Sequence, residues 1–224
     1  MISIIVPALN EEKTIEDTIK KLSSLIGKKE IIIVDGGSKD KTVEIAKKYV
    51  KVIESQKGRA KQMNAGANEA KGDVLWFVHS DSITDKSSLI AIEETIKDGY
   101  QGGGFSLYFY DDESLFMRYI AKTSNIRAKY FDVYFGDQGI FATKEIFTKL
   151  NGYKEMEIME DWDFSKRLSK NSKMKLLNVP IGTSARRFRK GGPLKVHLFM
   201  HKLKVLYLLG VSNEKLAKMY KEAR

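Results

Sequence analysis

The chain of 224 residues contains no cysteine and only three prolines. The absence of cysteine excludes disulfide bonds, thiolate metal sites and cysteine nucleophiles, and it fits a protein that works in a reducing compartment. The N-terminus also lacks the basic stretch and the cleavage site of a secretion signal, because Met1 is followed directly by the strand-like residues 2–6. We therefore expect a cytoplasmic protein.

A long uninterrupted apolar run is missing as well. A membrane-spanning helix needs about 20 predominantly apolar residues, whereas the apolar segment 193–209 carries three lysines and two histidines. We expect a helix here that packs on the domain or forms a homodimer, with peripheral contact at the inner face of a membrane as the alternative. His197 and His201 have a metal-like i, i+4 spacing, but without a nearby third ligand we expect them to be surface or packing residues.

The chain has a formal net charge of +10, and a basic protein raises the question of a nucleic-acid partner. Much of the excess is lysine scattered over predicted helix surfaces, such as Lys20, Lys21, Lys47 and Lys48. Lysines in this arrangement are typical of solvated helix faces. We therefore expect no nucleic-acid partner, and the hydrophobic content of 42% predicts a substantial core.

Strand-like and helix-like segments alternate through the first hundred residues. Strands are predicted at 3–6, 30–34, 50–53 and 74–78, with amphipathic helices between them. This βαβ series implies an α/β fold with a mostly parallel central sheet flanked by helices. The second half is less regular, with elements predicted at 105–110, 114–127, 144–150, 160–168, 174–179 and 193–209.

Two of the predicted strands end in acidic residues. Asp35 follows the second strand, and His79, Ser80 and Asp81 follow the fourth. In open α/β sheets, ligands bind at the carboxyl ends of the strands, where the loops diverge and helix N-termini point into the crevice. The sequence therefore predicts a nucleotide and metal site at this edge of the sheet.

The chain contains, in order, the motifs VPALNEE (6–12) and VDGGSKDKT (34–42) and the pair Glu160–Asp161. Together they resemble glycosyltransferase family 2. The motifs GRAKQMNAGA (58–67) and GDQGIF (136–141) further resemble a short, soluble, bacterial-type subgroup of it. The resemblance implies a GT-A-type nucleotide-binding fold, nucleoside-diphosphate sugars as donors and inversion at the anomeric carbon. It stops short of the processive polysaccharide synthases of the family, because no Gln-x-x-Arg-Trp sequence occurs.

The same resemblance implies a domain organisation. We expect a GT-A-like domain over residues 1–190, with a nucleotide-sugar-binding half at 1–100 and an acceptor half at 101–190. Residues 191–224 are predicted to form an amphipathic helical C-terminal extension.

For the donor, the resemblance implies that Asp35 accepts a hydrogen bond from the nucleotide base, with Pro7 and Glu11 lining the base and ribose pocket. Uracil offers an N3–H to such a carboxylate, which favours a UDP-sugar over a GDP-sugar, although guanine also has donors. The alternative is that Asp35 and its glycines only organise a tight turn. Further predicted contacts of the nucleotide are Ser38, Arg59, Gln62 and Ser80, with a solvated arginine at a helix start as the alternative for Arg59.

A divalent cation, Mg²⁺ or Mn²⁺, is expected to stabilise the departing diphosphate, because hard oxygen ligands at the strand edge suit such ions. Asp81 is the predicted ligand. In the resembled family this position usually lies in an Asp-x-Asp motif, and here His79 replaces the first acid, so His79 is the second candidate. The alternative is that Asp81 caps the helix beginning near Ser87 or a turn at Ser82.

Asp161 is the predicted catalytic base, since the resemblance assigns this role to the Asp of a Glu-Asp pair. Direct displacement at an anomeric carbon requires the acceptor hydroxyl to lose its proton, and a positioned carboxylate can take it. Glu160 completes the pair, and Trp162 is expected to stack on a sugar. The alternative is that both acids only stabilise a helix N-terminus, which contributes roughly 0.3–1 kcal/mol.

Two further groups are expected on the acceptor and phosphate side. Asp137 and Gln138 lie between glycines and are predicted to hydrogen-bond sugar hydroxyls. Arg186 and Arg187 begin a basic stretch that we expect to be a mobile loop over the diphosphate, because arginine binds phosphate oxygens in a bidentate manner. Binding of an anionic acceptor or a membrane lipid is the alternative for this stretch.

The sequence therefore predicts an enzyme that transfers a sugar, of hexosyl type, from a nucleoside-diphosphate sugar to an acceptor hydroxyl. Two rivals remain open. A sugar nucleotidyltransferase has a similar sheet, but typically shows a Gly-rich loop with Arg or Lys after the first strand, and Pro7–Glu11 is not one. A basic membrane-surface or nucleic-acid-binding protein that kept the fold and lost activity is the other rival, because His79 replaces an acid.

Overall fold

The computed structural model describes residues 1–223, which form a central sheet of eight strands flanked by helices. The strands are β1 (Ile2–Ala8), β2 (Lys29–Asp35), β3 (Lys51–Glu54), β4 (Val74–Phe77), β5 (Ile83–Thr84), β6 (Gly102–Phe109), β7 (Phe141–Thr143) and β8 (Met174–Thr183). The helices are α1 (Ile15–Ser23), α2 (Thr42–Ala46), α3 (Arg59–Glu69), α4 (Ser88–Lys97), α5 (Leu115–Phe131), α6 (Lys144–Lys149), α7 (Glu160–Asn171), α8 (Arg186–Gly191), α9 (Pro193–Leu208) and α10 (Asn213–Glu222). A 3₁₀ turn spans Gly136–Gln138.

The strand order is β3-β2-β1-β4-β7-β6-β8-β5. The strands β3, β2, β1 and β4 pair in parallel, and β6 pairs in parallel with β8. Only β7 and β5 run antiparallel to their neighbours in the described part of the chain. The predicted α/β fold with a mostly parallel sheet is therefore confirmed, and so is the βαβ series of the first hundred residues.

The sheet is buried on both faces because β1 is apolar at every position except Ser3 and residues 31–34 of β2 form an unbroken apolar run. Side chains of a strand alternate between its faces. Ile4 and its neighbours on one face of β1 therefore pack with the apolar stripe of α1, whereas Ile5 packs with α3 on the other face. This double burial fixes the positions of the strand ends, where the acidic residues lie.

Helix α3 lies unusually close to the sheet at Gly66. A Cβ atom at this position would come within 2.4 Å of Cγ2 of Ile5 and 2.9 Å of Cγ2 of Val34. Because only glycine fits this contact, α3 can bring its first turn, which begins at Arg59, down to the carboxyl ends of β1 and β2.

The basic residues 186–190, which we expected to be a mobile loop, form helix α8 instead. The carboxylate of Asp111 holds the start of this helix, since it accepts hydrogen bonds from the Ala185 N–H at 2.7 Å and from the Ser184 hydroxyl at 2.6 Å. Asp111 also pairs with Arg189 at 2.7 Å. These contacts are distant in sequence, so no local pattern could have revealed them.

The C-terminal helices pack on the segment that leads into α7. Leu203 of α9 and Leu216 of α10 are fully buried and share one apolar cluster with Ile158 and Met159. One face of α9 therefore packs on the domain. Among residues 1–223, the structure contains no helix with both the length and the apolar character needed to cross a bilayer.

The close contact at Gly66 yields a stability prediction. We expect Gly66→Ala to lower the free energy of unfolding by about 1–3 kcal/mol, because the new methyl group overpacks the interface between α3 and the sheet. Thermal or urea unfolding followed by circular dichroism measures the change.

Asn68→Ala is the matched control, since Asn68 is exposed on the same helix and its replacement should change stability by no more than about 0.5 kcal/mol. Equal stability of the Gly66→Ala variant and the unmodified protein would contradict the close contact.

Candidate active site

Asp35 is the last residue of β2 and is only 3% exposed. Its Oδ2 accepts hydrogen bonds from the backbone N–H groups of Gly37 and Ser38, each at 2.9 Å. Its Oδ1 is buried and has no hydrogen-bond partner in the described part of the protein. Buried polar atoms are nearly always satisfied in folded proteins, so Oδ1 is available for a donor that a ligand brings.

The loops after β1 and β2 are joined by hydrogen bonds that position this carboxylate. The Asn10 N–H donates to Oγ of Ser38 at 2.8 Å, and the Glu11 N–H donates to Oγ1 of Thr42 at 2.7 Å. Pro7 lies in β1 and pairs in register with Val34 of β2. The structure therefore places Pro7, Glu11, Asp35 and Ser38 together at one edge of the sheet, although the hydroxyl of Ser38 already serves the loop.

Gln62 differs from the expectation. Its side chain is buried, and its Nε2 donates to the carbonyl oxygens of Ala8 at 2.9 Å and Val34 at 2.8 Å. Both amide hydrogens are therefore used to join the ends of β1 and β2. The amide nitrogen therefore supports the strand ends, and only Oε1 is left for the predicted contact with the nucleotide.

The three residues after β4 have different environments. Ser80 is buried, and its carbonyl oxygen accepts the hydroxyl hydrogen bond of Thr18 at 2.6 Å, which anchors the segment on α1. Burial lowers the pKa of His79 to about 3, and the positive charge of Arg59 acts in the same direction. His79 is therefore neutral at neutral pH and has a nitrogen lone pair free for a cation.

Asp81 lies within electrostatic reach of Arg59. Within residues 1–223, no group of three or more His, Asp or Glu side chains is arranged to hold a metal ion. His79 and Asp81 could therefore supply only part of a coordination shell. This is compatible with a cation that takes its remaining ligands from a diphosphate and water, as Mg²⁺ commonly does.

Asp161 lies in the first turn of α7 and contacts the 3₁₀ turn. Its Oδ2 accepts the backbone N–H of Gly136 at 2.8 Å. A Cβ atom at Gly136 would lie 2.6 Å from Nε2 of His79 and 3.6 Å from Oδ2 of Asp161. Gly136 thus sits between the two side chains, and the structure brings the end of β4 and the start of α7 to the same place.

Glu160 is buried beside Asp161 and faces Arg59, with 3.8 Å between Oε1 and Nη1. Burial raises the pKa of Glu160, and the adjacent Asp161 acts in the same direction. The negative charges of Glu160, Asp161 and Asp81 all act on the guanidinium of Arg59. Arg59 begins α3 and its side chain is about half exposed, yet its guanidinium lies close to these acids, which makes it the cation on this side of the site.

Asp137 and Gln138, both predicted to bind the acceptor, lie in different environments. Gln138 has no exposed surface, and its Oε1 accepts a hydrogen bond from Nη2 of Arg127 at 2.8 Å. The prediction that Gln138 bonds an acceptor hydroxyl therefore does not hold. Burial raises the pKa of Asp137 to about 6, with Arg127 opposing the shift and Asp161 reinforcing it. Its Oδ1 has no partner among the described residues.

Two cations of the site, Arg127 and Lys204, were missed from the sequence. The Arg127 guanidinium lies 3.9 Å, and the Lys204 Nζ 4.9 Å, from the ring centroid of Phe135. Burial and the charge of Arg127 lower the pKa of Lys204 to about 8, while Asp137 and Asp161 oppose the shift. No motif marks Lys204, which looks like any other lysine of a basic helix.

Trp162 and Arg187 both contact the C-terminal helices. Trp162 packs between Phe135 and Tyr207, with ring centroids 5.5 and 6.1 Å away, and its Nε1 has no partner among residues 1–223. Arg187 donates to the hydroxyl of Tyr220, and its guanidinium lies 4.1 Å from the centre of that ring.

Tyr220 lies near Arg59 as well, so it connects Arg187 to the site. Arg186, in contrast, is exposed at the start of α8. Of the two arginines, Arg187 is therefore the one that the structure brings toward the site.

Comparison with known proteins gives one family. A family model described as glycosyl transferase family 2 matches residues 3–156. One curated relative is the poly-beta-1,6-N-acetyl-D-glucosamine synthase of Staphylococcus aureus, which is 32% identical over 104 residues, or 43% of this chain and 25% of that synthase. The synthase of Staphylococcus epidermidis is 30% identical over the same length. The match thus spans about a quarter of the length of these relatives.

Solved structures with the same fold include Staphylococcus aureus TarS 1–349, with a TM-score of 0.68 and 19% identity over 83% of this chain and 61% of that one. The mannosyltransferase PcManGT from Pyrobaculum calidifontis gives a TM-score of 0.69 with 16% identity, over 99% of this chain and 73% of that one. Since the family model covers well over half of the sequence, the chain belongs to glycosyl transferase family 2, and its fold is of the GT-A type.

Proposed function

We propose that the protein transfers a sugar, of hexosyl type, from a nucleoside-diphosphate sugar to an acceptor hydroxyl, with inversion and with the help of a divalent cation. One observation carries the proposal: Asp161 is fixed by the Gly136 N–H directly beside His79, at the strand edge where the Asp35 carboxylate also lies. Membership of glycosyl transferase family 2 supports the transfer of a sugar.

The donor is proposed to be a UDP-sugar. One oxygen of Asp35 already accepts two backbone N–H groups, so only Oδ1 is free. Uracil presents a single N3–H, which matches one free oxygen, whereas guanine presents two adjacent donors that suit a carboxylate with both oxygens free. TarS has been solved with UDP and with UDP-GlcNAc. PcManGT has been solved with GDP-Man, so the base must be tested directly.

His79 and Asp81 are proposed to hold the cation together with the diphosphate. A neutral imidazole and one carboxylate suit Mn²⁺, and Mg²⁺ is often bound by one or two protein carboxylates plus phosphate oxygens. Mn²⁺ is present in the structures of PcManGT and of the glucosyl-3-phosphoglycerate synthase from Mycobacterium tuberculosis. When bound, the cation would neutralise charge on the departing diphosphate. Arg59, and Arg187 through Tyr220, would add positive charge on the same side.

Asp161 is proposed to take the proton of the acceptor hydroxyl as that oxygen attacks the anomeric carbon. The Gly136 N–H holds one carboxylate oxygen in place, so the group is oriented before the acceptor arrives. The diphosphate leaves from the opposite face of the sugar, and the configuration is therefore inverted. Asp137 and the free Trp162 Nε1 are available to bond hydroxyl groups of the substrates.

Successive segments of the chain are proposed to have different roles. Residues 1–100 would bind the nucleotide sugar, residues 101–190 would bind the acceptor, and the extension from residue 191 would add Lys204 to the acceptor side. Because the chain contains no cysteine, we propose a reducing, cytoplasmic location.

The first experiment is a thermal-shift panel of nucleoside diphosphates and their sugars with Mg²⁺ or Mn²⁺. Stabilisation by none of them would contradict the proposed function.

The Asp35 carboxylate can be tested by changing the base that the protein prefers. In Asp35→Asn, the amide oxygen would accept the two loop N–H groups and the NH₂ group would face the base. Two donors would then meet, so we expect UDP to bind about 10- to 100-fold more weakly. CDP, whose N3 is an acceptor, should lose much less, or gain. Calorimetry with both nucleotides measures the change in preference.

An unaltered ratio of UDP to CDP affinity in the Asp35→Asn variant would show that the base does not contact this side chain. The Asp40→Asn variant serves as a comparison, because Asp40 belongs to the same loop but its carboxylate bonds the Glu12 and Thr42 N–H groups. The Asp40→Asn variant should leave the ratio of UDP to CDP affinity unchanged.

Asp161→Asn should lower kcat by about 10²–10⁴-fold, because an amide cannot accept the acceptor proton. UDP affinity should stay within about twofold of the original, since Asp161 is proposed to act on the acceptor and not on the nucleotide. Release of UDP from the donor in the presence of acceptor gives kcat, and calorimetry gives the affinity.

Asp163→Asn is the control for this variant. Asp163 lies on the same helix and pairs with Lys154 and Arg167, so its loss should lower stability while kcat is retained. Full activity of the Asp161→Asn variant would reject Asp161 as the base.

Asp137, whose Oδ1 is buried, predicts a dependence of stability on pH. Its folded-state pKa of about 6 lies above the ordinary value of 3.8, so the folded protein binds the proton more tightly than the unfolded chain does. The stabilisation that comes from this tighter proton binding is therefore lost as the pH rises from about 4 to about 6. We expect Asp137→Asn to become more stable relative to the unmodified protein across this range. Thermal unfolding at a series of pH values measures the difference in stability between the variant and the unmodified protein. This difference should be constant below and above this pH range.

A further inference from the structure

Helix α9 carries an apolar stripe on the side that faces away from the domain. The stripe consists of Leu194, Leu198, Val205, Leu208 and the following Leu209, and each of these side chains is more than half exposed. At about 100° of rotation per residue, the five positions lie within an arc of about 100°. Leu203, on the opposite side of the helix, is fully buried. The stripe is therefore separate from the face that packs on the domain.

Helix α5 carries a second stripe with the same spacing. Leu115, Tyr119, Ile126 and Tyr130 are 81%, 52%, 43% and 68% exposed, and they lie within an arc of about 60°. Large apolar side chains exposed singly are common on proteins, whereas contiguous groups mark an interaction site.

The two stripes are connected by aromatic contacts. The His197 ring of α9 lies 5.6 Å from Phe116 and 6.1 Å from Tyr119 of α5, measured between ring centroids. His197 also contacts His201, at 4.4 Å, on the exposed side of α9. We refer to the two stripes and these linking rings as the α5–α9 surface.

The charges carried by α5 and by residues 186–209 are of one sign. Residues 115–131 contain four Lys or Arg, residues 186–209 contain seven, and neither segment contains an Asp or Glu. Several of these cations are exposed and form no ion pair within residues 1–223, namely Arg118, Lys122, Lys129, Arg186, Lys190, Lys195 and Lys202. Acids occur only at the ends of these segments: Asp111, Asp112 and Glu113 precede α5, Asp132 follows it, and Asp111 is paired with Arg189.

We propose that the α5–α9 surface docks on an anionic lipid bilayer. Helices with an apolar stripe flanked by Lys and Arg bind at the boundary between headgroups and acyl chains, and their affinity increases with anionic lipid. A second copy of the chain fits less well, because two such surfaces would bring many unpaired cations together against few acids. A nucleic acid would match the charge but would leave the leucines uncovered.

Docking in this way places the active site near the lipid headgroups. Lys204 contacts the Phe135 ring in the cleft and belongs to the same helix as the exposed stripe. A helix with its side chains is about 10–12 Å across, so the bilayer would lie within about that distance of Lys204. The docking itself does not depend on the proposed sugar transfer, and its test requires no activity.

Vesicle flotation tests the proposal. The unmodified protein should float with vesicles of phosphatidylcholine and phosphatidylglycerol, and not with phosphatidylcholine alone, and high salt should weaken the binding. Leu198→Glu combined with Val205→Glu should reduce the bound fraction at least about tenfold, as should Lys195→Glu combined with Lys202→Glu. All four positions are on α9 and at least partly exposed, and thermal unfolding of each variant checks that the fold is retained.

The control is Lys47→Glu combined with Lys97→Glu. It changes the net charge by the same amount as Lys195→Glu combined with Lys202→Glu, but at exposed positions away from the α5–α9 surface. This control should bind like the unmodified protein. Equal binding to neutral vesicles, undiminished binding of the Leu198→Glu, Val205→Glu variant, or equal losses in the control would each overturn the proposal. A dimer in light scattering that disappears in the Leu198→Glu, Val205→Glu variant, without vesicle binding by the unmodified protein, would overturn it in favour of a second copy.

The lack of cysteine allows a second, direct measurement. Leu198→Cys gives a single labelling site for a fluorophore that responds to polarity. We expect a blue shift of its emission when phosphatidylglycerol vesicles are added, and no shift for the same label at Lys47→Cys. The absence of a shift at position 198 would show that the stripe does not enter the bilayer.

Discussion

The hydrogen bond from the Gly136 N–H to the Asp161 carboxylate, at 2.8 Å, is the contact on which the site depends. It joins the 3₁₀ turn to the first turn of α7, and it requires a residue without a Cβ, because the His79 ring occupies the space where that atom would be. His79 after β4 and Asp161 of α7 therefore lie side by side at the carboxyl edge of the sheet. A substrate that binds there meets groups from both halves of the chain.

Of the six buried side-chain atoms that lack a hydrogen-bond partner within residues 1–223, three belong to residues of the site, namely Oδ1 of Asp35, Oδ1 of Asp137 and Nε1 of Trp162. An unsatisfied buried polar atom destabilises the folded state by about 1–3 kcal/mol, and polar groups of a bound ligand would remove this cost. The cations Arg59, Arg127 and Lys204 lie among the acids, and this mixture of charges suits a substrate that carries both phosphates and hydroxyl groups.

Sequence patterns predicted the strands and the acids at their ends because both are local. The apolar runs before Asp35 and His79 indicated buried parallel strands, and the edge of such a sheet is where ligands bind. The two glutamines show where this reasoning stops. Gln62 and Gln138 lie in motifs of the site, yet their amide groups bond the strand ends and Arg127. A motif places a residue near a site but does not determine which way its side chain turns.

The sequence by itself determined the α/β architecture, the family and the edge of the sheet at which the chemistry is placed. These follow from periodicity and from motifs whose members are close in the chain. Only the tertiary structure decided that residues 186–190 form a helix, that α9 brings Lys204 to the cleft, and that two apolar stripes join into one surface. Each of these depends on contacts between segments far apart in sequence, such as Asp111 with α8 and His197 with Tyr119, and no local pattern encodes them.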